Sequence, residues 1–71
     1  MATEYVDLLA ENGEIVRIEC PDKYSDDLYE TIENTMKRGD WWSADQWDGC
    51  SATYMGIQIC RVNMKKVVGM L

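Results

Sequence analysis

The fold is decided by the stretch between residues 4 and 20, which reads EYVDLLAENGEIVRIEC. It holds two runs in which apolar and polar residues alternate, 4–10 and 14–20, on either side of Glu11-Asn12-Gly13. Alternation with a period of two is typical of strands, and a short glycine-containing segment between two such runs is typical of a hairpin. We therefore predict a β-hairpin over residues 4–20.

The register of this hairpin follows from its two faces. A two-residue Asn-Gly turn would mix charged and apolar side chains on each face. A three-residue loop, with Gly13 in the left-handed conformation as a bulge, instead pairs Val6 with Ile18 and Leu8 with Val16. Because the hydrophobic pattern sets the register, we predict the three-residue loop.

Residues 25–38 predict a helix that has Ser25 as its N-cap and ends at Gly39 in the left-handed conformation. Acidic residues fill the first turn and basic residues fill the last turn, which suits the helix dipole. Apolar residues recur at every fourth position and form a stripe that we expect to pack on the sheet: Leu28, Ile32 and Met36.

The remaining residues complete the predicted fold. We interpret 39–49 as a loop, 51–62 as a third strand in which Gly56 marks a bulge, and 67–71 as a short last strand. The resulting order is β-β-α-β-β. The sequence therefore predicts an α+β fold, a single small domain over 1–71 in which one helix packs on one face of an antiparallel sheet.

The charge of the chain limits its partners. The 71 residues include 7 Lys and Arg and 13 Asp and Glu, which gives a formal net charge of −6. Residues 60–71 carry three basic side chains and no acidic one, so residues 1–59 carry −9. An acidic protein is repelled by phosphate backbones, and three basic residues make too small a patch to offset this. We expect no nucleic-acid partner.

The ends of the chain and its cysteines suggest a compartment. The N-terminus has no basic region followed by an apolar one, so we expect no signal peptide. The longest stretch without charge, 49–60, is too short for a membrane span. Cys20, Cys50 and Cys60 are odd in number and form no Cys-x-x-Cys pair. These features predict three free thiols, a cytoplasmic location and no contact with a membrane.

The residues that most catalytic and metal sites use are missing or scattered. The chain has no histidine, which removes the commonest general base and metal ligand. Three scattered cysteines do not complete a four-ligand zinc site, and the glycines form no phosphate-binding loop. Asp40, Asp45 and Asp48 match no calcium-binding loop. We expect no enzymatic activity, no metal and no cofactor.

Three tryptophans within seven residues, Trp41, Trp42 and Trp47, predict the binding site. Tryptophan is over-represented at interface hot spots, although these rings could equally fill the core of a chain that has no phenylalanine. Adjacent side chains diverge, so one of the pair at 41 and 42 is exposed. We predict Trp42, because Trp41 is closer to the end of the helix and can pack back against Met36. The predicted partner-binding residues are these three tryptophans and Gln46.

Self-association is predicted from two features. The hairpin has a second face that is not cleanly polar, with Tyr5, Leu9 and Ile15. The last strand, 67–71, has few charges to prevent pairing with another chain. The predicted function is therefore a small, acidic, non-enzymatic protein–protein interaction domain that binds a protein partner, forms a homodimer, or does both.

The helix suggests an alternative function. Asp26, Glu30 and Glu33 lie at helical spacing on one face. Such a row of carboxylates is ordinarily a solvated surface, but it could also imitate the phosphates of a nucleic acid and occupy the groove of a nucleic-acid-binding protein. The alternative prediction is an acidic inhibitor that acts through this helix face.

Overall fold

A long β-hairpin, formed by β1 (Thr3–Ala10) and β2 (Ile15–Pro21), lies at the centre of the computed structural model, which describes residues 2–71. Val6 lies opposite Ile18 and Leu8 lies opposite Val16. Gly13 has a φ of 88°, and its N–H donates to the carbonyl of Ala10 at 3.0 Å. The predicted register and the three-residue loop are confirmed.

Within residues 2–71, seven strands form two antiparallel sheets and, with one α-helix, give the predicted α+β class. In chain order the further strands are β3 (Trp41–Ser43), β4 (Ser51–Tyr54), β5 (Ile57–Ile59), β6 (Arg61–Asn63) and β7 (Val67–Met70). The five-stranded sheet has the order β5-β4-β2-β1-β7, and β3 pairs with β6 in a second, two-stranded sheet. The predicted order of four strands is thus too simple, although its class is right.

The single strand predicted over 51–62 is divided into three. Met55 and Gly56 have φ values of 54° and 77°, and Tyr54 pairs with Ile57 across them. Two successive left-handed residues form the tight turn that matches the twist of a hairpin, so the chain reverses where we predicted only a bulge. After β5 the chain leaves the large sheet, and β6 pairs with β3 instead.

The helix α1 (Ser25–Arg38) has the predicted bounds and the predicted end, since Gly39 is left-handed with a φ of 64°. Its N-cap is Tyr24 rather than Ser25. A 3-10 turn over Asp22–Tyr24 continues directly into α1, and the Ser25 N–H donates to the carbonyl of Asp22. No helix between Ala2 and Leu71 is long and apolar enough to cross a membrane.

The core lies between α1 and the inner face of the large sheet. Leu28 and Ile32 are fully buried, as the stripe predicts. Met36, the third residue of the stripe, is half-buried, and the neighbouring Thr35 is buried instead. The Thr35 hydroxyl donates to the carbonyl of Thr31 at 2.7 Å, which satisfies this polar group inside the core. The sheet contributes most of the remaining apolar core: Val6, Leu8, Val16, Ile18, Cys20 and Ala52.

A disulfide joins Cys20, at the end of β2, to Cys50, just before β4. The ladder between these strands pairs Glu19 with Ser51, so the next step places the two cysteines opposite each other. The prediction of three free thiols is therefore wrong, and Cys60 is the free, exposed cysteine of the described chain. The pairing depends on the register between β2 and β4, which cysteine spacing does not reveal.

We expect thiol titration of the unfolded, unreduced protein to find one thiol, that of Cys60. Replacing Cys50 by serine should lower the free energy of unfolding by about 3–4 kcal/mol, because the bond closes a loop with a sequence separation of 30. Chemical denaturation of both proteins without reductant measures this difference. Cys60→Ser is the matched control and should leave stability nearly unchanged. Three titratable thiols in the untreated protein would contradict the assignment.

The outer face of the hairpin carries an ion pair. The Arg17 guanidinium donates to both carboxylate oxygens of Asp7, at 2.8 and 2.9 Å, and lies 4.2 Å from the ring centre of Tyr5. Hydrogen bonding to Arg17 holds the pKa of Asp7 below its usual value, although desolvation opposes this shift. The pair also confirms the cross-strand register, because Asp7 and Arg17 are directly opposite.

The ion pair should give stability a specific dependence on pH. A carboxyl group whose pKa is lower in the folded than in the unfolded chain stabilises the fold above its unfolded pKa of about 3.9. This contribution is lost as the pH falls through the folded pKa. Asp7→Asn should therefore unfold more easily than the wild type at pH 7, and the difference should shrink below about pH 4.

Urea denaturation at a series of pH values tests this dependence. Asp48→Asn is the control, because Asp48 is exposed and forms no ion pair within residues 2–71. A difference between wild type and Asp7→Asn that stays constant from pH 7 to pH 3 would contradict the role of the carboxylate.

Candidate functional site

The three tryptophans are not presented together. Trp42 is 1% exposed, whereas Trp41 is 52% exposed. The two residues lie in β3, where successive side chains point to opposite faces, so only one of them can enter the core. The prediction that Trp42 is the exposed member is therefore wrong. It assumed that Trp41 packs back against the end of the helix, whereas Trp42 lies among the core residues.

Trp42 and Trp47 belong to an aromatic cluster under the loop that follows β3. The ring of Trp47 stacks on Tyr24, with centres 5.6 Å apart and an angle of 16°, and meets Trp42 edge-on at 6.0 Å. Trp47 is half-buried, and the nearby Cys50 N–H donates to its carbonyl at 3.3 Å. These two tryptophans therefore hold the loop against the body of the protein.

Gln46 is exposed, but its side chain serves the turn. Its amide Nε2 donates to the carbonyl of Ser43 at 2.8 Å. The bond closes the 3-10 turn Ala44–Gln46 and occupies one of the two donors of this amide. Gln46 thus precedes Trp47 in the chain, and its bonded amide faces its own backbone.

The exposed tryptophan lies on the outer face of the two-stranded sheet. Trp41 pairs with Asn63 and Ser43 pairs with Arg61, so these four side chains share that face, which we call the Trp41 surface. The Arg61 guanidinium lies 5.3 Å from the centre of the Trp41 ring, within cation–π range. The Trp41 N–H donates to its neighbour Asp40, at Oδ1, at 2.8 Å. The ring is therefore exposed, with a guanidinium group beside it.

A cleft of about 260 Å³ adjoins the Trp41 surface and shares Arg61 and Asn63 with it. It lies between the tip of the hairpin, the end of β4, and the segment from β6 to β7. Its floor is apolar, and polar groups form its rim. The floor consists of Ala10, Val16, Tyr54, Ile59, Val62 and Val67, and the rim of Glu11, Asn12, Arg61, Asn63 and Lys66.

Two hydrogen bonds fix the walls of the cleft. The Asn12 amide donates to the hydroxyl of Tyr54 at 2.7 Å, which ties the hairpin loop to β4. The backbone N–H of Glu11 donates to the carbonyl of Lys66 at 2.8 Å, which ties the same loop to the turn before β7. The cleft is thus a built concavity with an apolar floor, the usual form of a site that accepts an apolar group.

The cleft and the Trp41 surface lie in the basic part of the chain. Arg61 and Lys66 stand on the rim, and Lys65 lies between them in sequence. Residues 60–71 carry +3 in a protein whose net charge is −6. With Glu11 also on the rim, the lining of the cleft carries a net charge of +1, which is opposite in sign to the net charge of the protein and favours an acidic occupant.

The acidic residues of the alternative site are all on the surface of α1. Asp26, Glu30 and Glu33 are exposed, and none of them forms an ion pair with a side chain of residues 2–71. They do not approach the tryptophans as one site. The three aspartates at 40, 45 and 48 are also exposed, and no group of three or more potential metal ligands occurs in the described chain.

Sequence reasoning did not find the other residues of this chain that complete the candidate site. Arg61, Asn63, Asn12 and Tyr54 come from three separate segments, and nothing in their spacing joins them. One signal was available, because Arg61 and Asn63 are two residues apart in a strand pattern and so share a face. The pairing of β6 with β3, which places that face beside Trp41, could not be inferred from it.

No family model, curated protein or solved structure matches this chain. Its function is therefore inferred from the site alone.

The two adjacent tryptophans should respond differently to truncation. Trp42→Ala removes a buried ring and leaves a cavity, so we expect a loss of about 3–5 kcal/mol, comparable to the whole stability of a small domain. Trp41→Ala should change stability by about 1 kcal/mol or less, since half of the ring is already exposed. Thermal melts of both variants check this. Equal losses would show that the outer face of β3 is also part of the core.

Proposed function

We propose that this protein is a non-enzymatic protein-interaction domain that binds its partner through the Trp41 surface and the adjoining cleft. The observation that carries this proposal is the exposed Trp41 ring with the Arg61 guanidinium beside it. Tryptophan and arginine are the residue types most enriched at binding hot spots. This proposal keeps a Trp-mediated contact but moves it from Trp42 to Trp41.

The rigidity of the site supports the proposal. A side chain that is already held in its bound orientation loses little conformational entropy on binding. Trp41 lies in a paired strand, and Arg61 lies against its ring from the neighbouring strand. The cleft beside them is lined by hydrogen-bonded segments of the chain. The site therefore resembles a preorganised hot spot with a pocket at its side.

The chemistry of the site defines the partner. An apolar side chain of the partner enters the cleft, and an acidic group next to it meets Arg61 and Lys66 on the rim. The partner segment therefore combines one apolar anchor with at least one carboxylate. Contacts of the anchor with the apolar floor supply most of the affinity, while the charges fix the orientation.

Self-association is proposed as a second function, through a different surface. Within residues 2–71, β7 pairs with β1 along one side and its other edge is unpaired, and the side chains of Val68, Met70 and Leu71 beside this edge are exposed. Such an edge pairs readily with a second copy of the chain. On the outer face of the hairpin, Tyr5 and Ile15 are exposed and Leu9 is half-buried, which extends the apolar area available to a homodimer.

The alternative function, an acidic inhibitor of a nucleic-acid-binding protein, is supported by the carboxylates of α1. Asp26, Glu30 and Glu33 have no ion-pair partner among residues 2–71 and are free to meet a basic groove. The two functions differ in their response to salt. Binding through Trp41 survives high salt, whereas binding through a carboxylate row weakens steeply as the charges are screened.

The disulfide is evidence about the cellular compartment in which the protein is found. A cytoplasmic location stays a prediction. Disulfides are rare in reducing cytosols and persist in oxidising compartments, so the Cys20–Cys50 bond argues against this location. The free thiols of the protein can be alkylated in its native host and counted by mass spectrometry. The count would decide between a reducing and an oxidising compartment.

A comparison of three variants tests the proposed function. Wild type, Trp41→Ala and Ile57→Ala are used as baits, and the Kd of each purified bait–partner pair is measured. Trp41→Ala should weaken binding by about 30-fold or more, as expected for a hot spot of about 2 kcal/mol. Ile57 is similarly exposed but lies on β5, so Ile57→Ala should bind as the wild type does.

The same proteins distinguish binding through Trp41 from homodimer formation and from binding through the acidic face of α1. Sedimentation at high concentration detects a homodimer directly. The variant Asp26→Asn/Glu30→Gln/Glu33→Gln should bind normally if Trp41 is the contact and lose binding if α1 is the contact. A partner that binds Trp41→Ala as tightly as the wild type, at both low and high salt, contradicts the proposed function.

A further inference from the structure

The longest strand of the sheet is incompletely paired. β1 runs over Thr3–Ala10 and pairs with β2 along almost its whole length. On its other side β7 pairs only with Leu8–Ala10, and one further bond runs from the Leu71 N–H to the Asp7 carbonyl at 2.9 Å. No strand within residues 2–71 pairs with residues 3–6 on this side. We call this unpaired side the open edge of β1.

The direction of the backbone groups along this edge follows from the observed bonds. The Asp7 carbonyl and the Glu11 N–H both bond on the β7 side, whereas the Ala10 N–H and the Ala2 carbonyl bond on the β2 side. In an antiparallel strand this direction alternates from one residue to the next. Thr3 and Tyr5 therefore direct an N–H and a carbonyl each towards the open edge, which presents two donors and two acceptors to an incoming strand.

Exposed aromatic and apolar groups flank the open edge. A depression there is lined by Tyr5 and Tyr29, together with Met70 and Leu71 from the end of β7. Tyr5 stands on the outer face of the sheet, and Tyr29 comes from α1 on the inner face, so a strand docked at the edge would have one ring on either side. Both tyrosines are about half exposed, at 54% and 44%. Alternate side chains of an added strand would pack against them.

The charges around the edge have one sign. Asp26 and Glu33 lie one helical turn before and after Tyr29, on the same face of α1. Both are exposed and form no ion pair with residues 2–71. The nearest basic side chain on β1 or β2, Arg17, is already paired with Asp7. A strand docked on the open edge therefore meets uncompensated negative charge, which selects a basic occupant.

We propose that the open edge of β1 binds an extended, basic segment of another protein, which adds to the sheet as a strand in line with β7. Backbone hydrogen bonds to Thr3 and Tyr5 hold this segment. Its apolar residues pack against Tyr5 on the outer face of the sheet. Its lysine or arginine residues lie on the inner face, over the ring of Tyr29 and beside Asp26 and Glu33. This site is separate from the Trp41 surface and does not depend on the function proposed for it.

The test uses a capped heptapeptide of alternating lysine and valine, titrated into the ¹⁵N-labelled protein. We expect chemical-shift changes centred on the amides of Thr3, Tyr5 and Tyr29, and slower hydrogen exchange at Thr3 and Tyr5. Two control peptides are matched to it. One has all its backbone nitrogens methylated, which prevents strand pairing, and the other has glutamate in place of lysine. Both should bind at least tenfold more weakly.

Variants of the protein distinguish the contribution of backbone hydrogen bonds to peptide binding from the contribution of charge. Thr3→Pro removes one outward N–H at the first residue of the strand, where proline is tolerated, and should weaken peptide binding about 2- to 10-fold. Gln58→Pro removes an equivalent outward N–H from the edge strand β5 and should have no effect on binding. Glu33→Gln should weaken binding several-fold at low salt, whereas Glu14→Gln, in the hairpin loop, should not.

Four results would overturn the proposal. The methylated peptide could bind as well as its parent, which would exclude strand addition. The glutamate peptide could bind as well as the lysine peptide, which would exclude selection by charge. The amides of Thr3 and Tyr5 could already be protected without peptide in a protein that sediments as a dimer, which would make a second copy of this chain the occupant. Loss of binding in Glu30→Gln but not in Thr3→Pro would assign the peptide to the helix face of the alternative function.

Discussion

The pairing of Val6 with Ile18 is the constraint on which the rest of the structure depends. Side chains alternate along a strand, so a shift of one residue in this register would turn every core residue of the hairpin towards solvent. With the observed register, the core residues of both strands face α1. The charged pair Asp7 and Arg17 is left on the opposite face.

The same register places the features that lie outside the hairpin. Cys20 follows Ile18 by two residues and therefore points inwards, where it meets Cys50. This bond holds the start of β4 against the end of β2, close to the cluster in which Trp47 stacks on Tyr24. The tryptophan segment is thus held from both sides, and the short strand β3 turns Trp42 inwards and Trp41 outwards. The position of the Trp41 surface therefore depends on the strand register of the large sheet.

Local pattern predicted the hairpin and the helix, because the alternation between residues 4 and 20 and the stripe through Leu28 and Ile32 are both properties of neighbouring residues. The division of 51–62 was missed because the turn at Met55 and Gly56 places a left-handed methionine where only the glycine signals a turn. The orientation of Trp41 and Trp42 could not be predicted, since a three-residue strand has too few positions to show which face is apolar. The disulfide and the walls of the cleft depend on contacts between segments far apart in sequence, which no local pattern contains.

The position of β7 in the sequence affects the order in which the parts of the fold form. β7 pairs with Leu8–Ala10 of β1, the first strand of the described residues, although nearly all of the other residues lie between the two strands. Contacts of such high sequence separation form late and slow the folding of a domain, because a long loop must close before they are gained. During synthesis, β1 and β2 leave the ribosome long before β7, so Leu8–Ala10 stay unpaired on that side until β7 emerges. A chaperone that protects exposed strand edges would have its best opportunity in this interval.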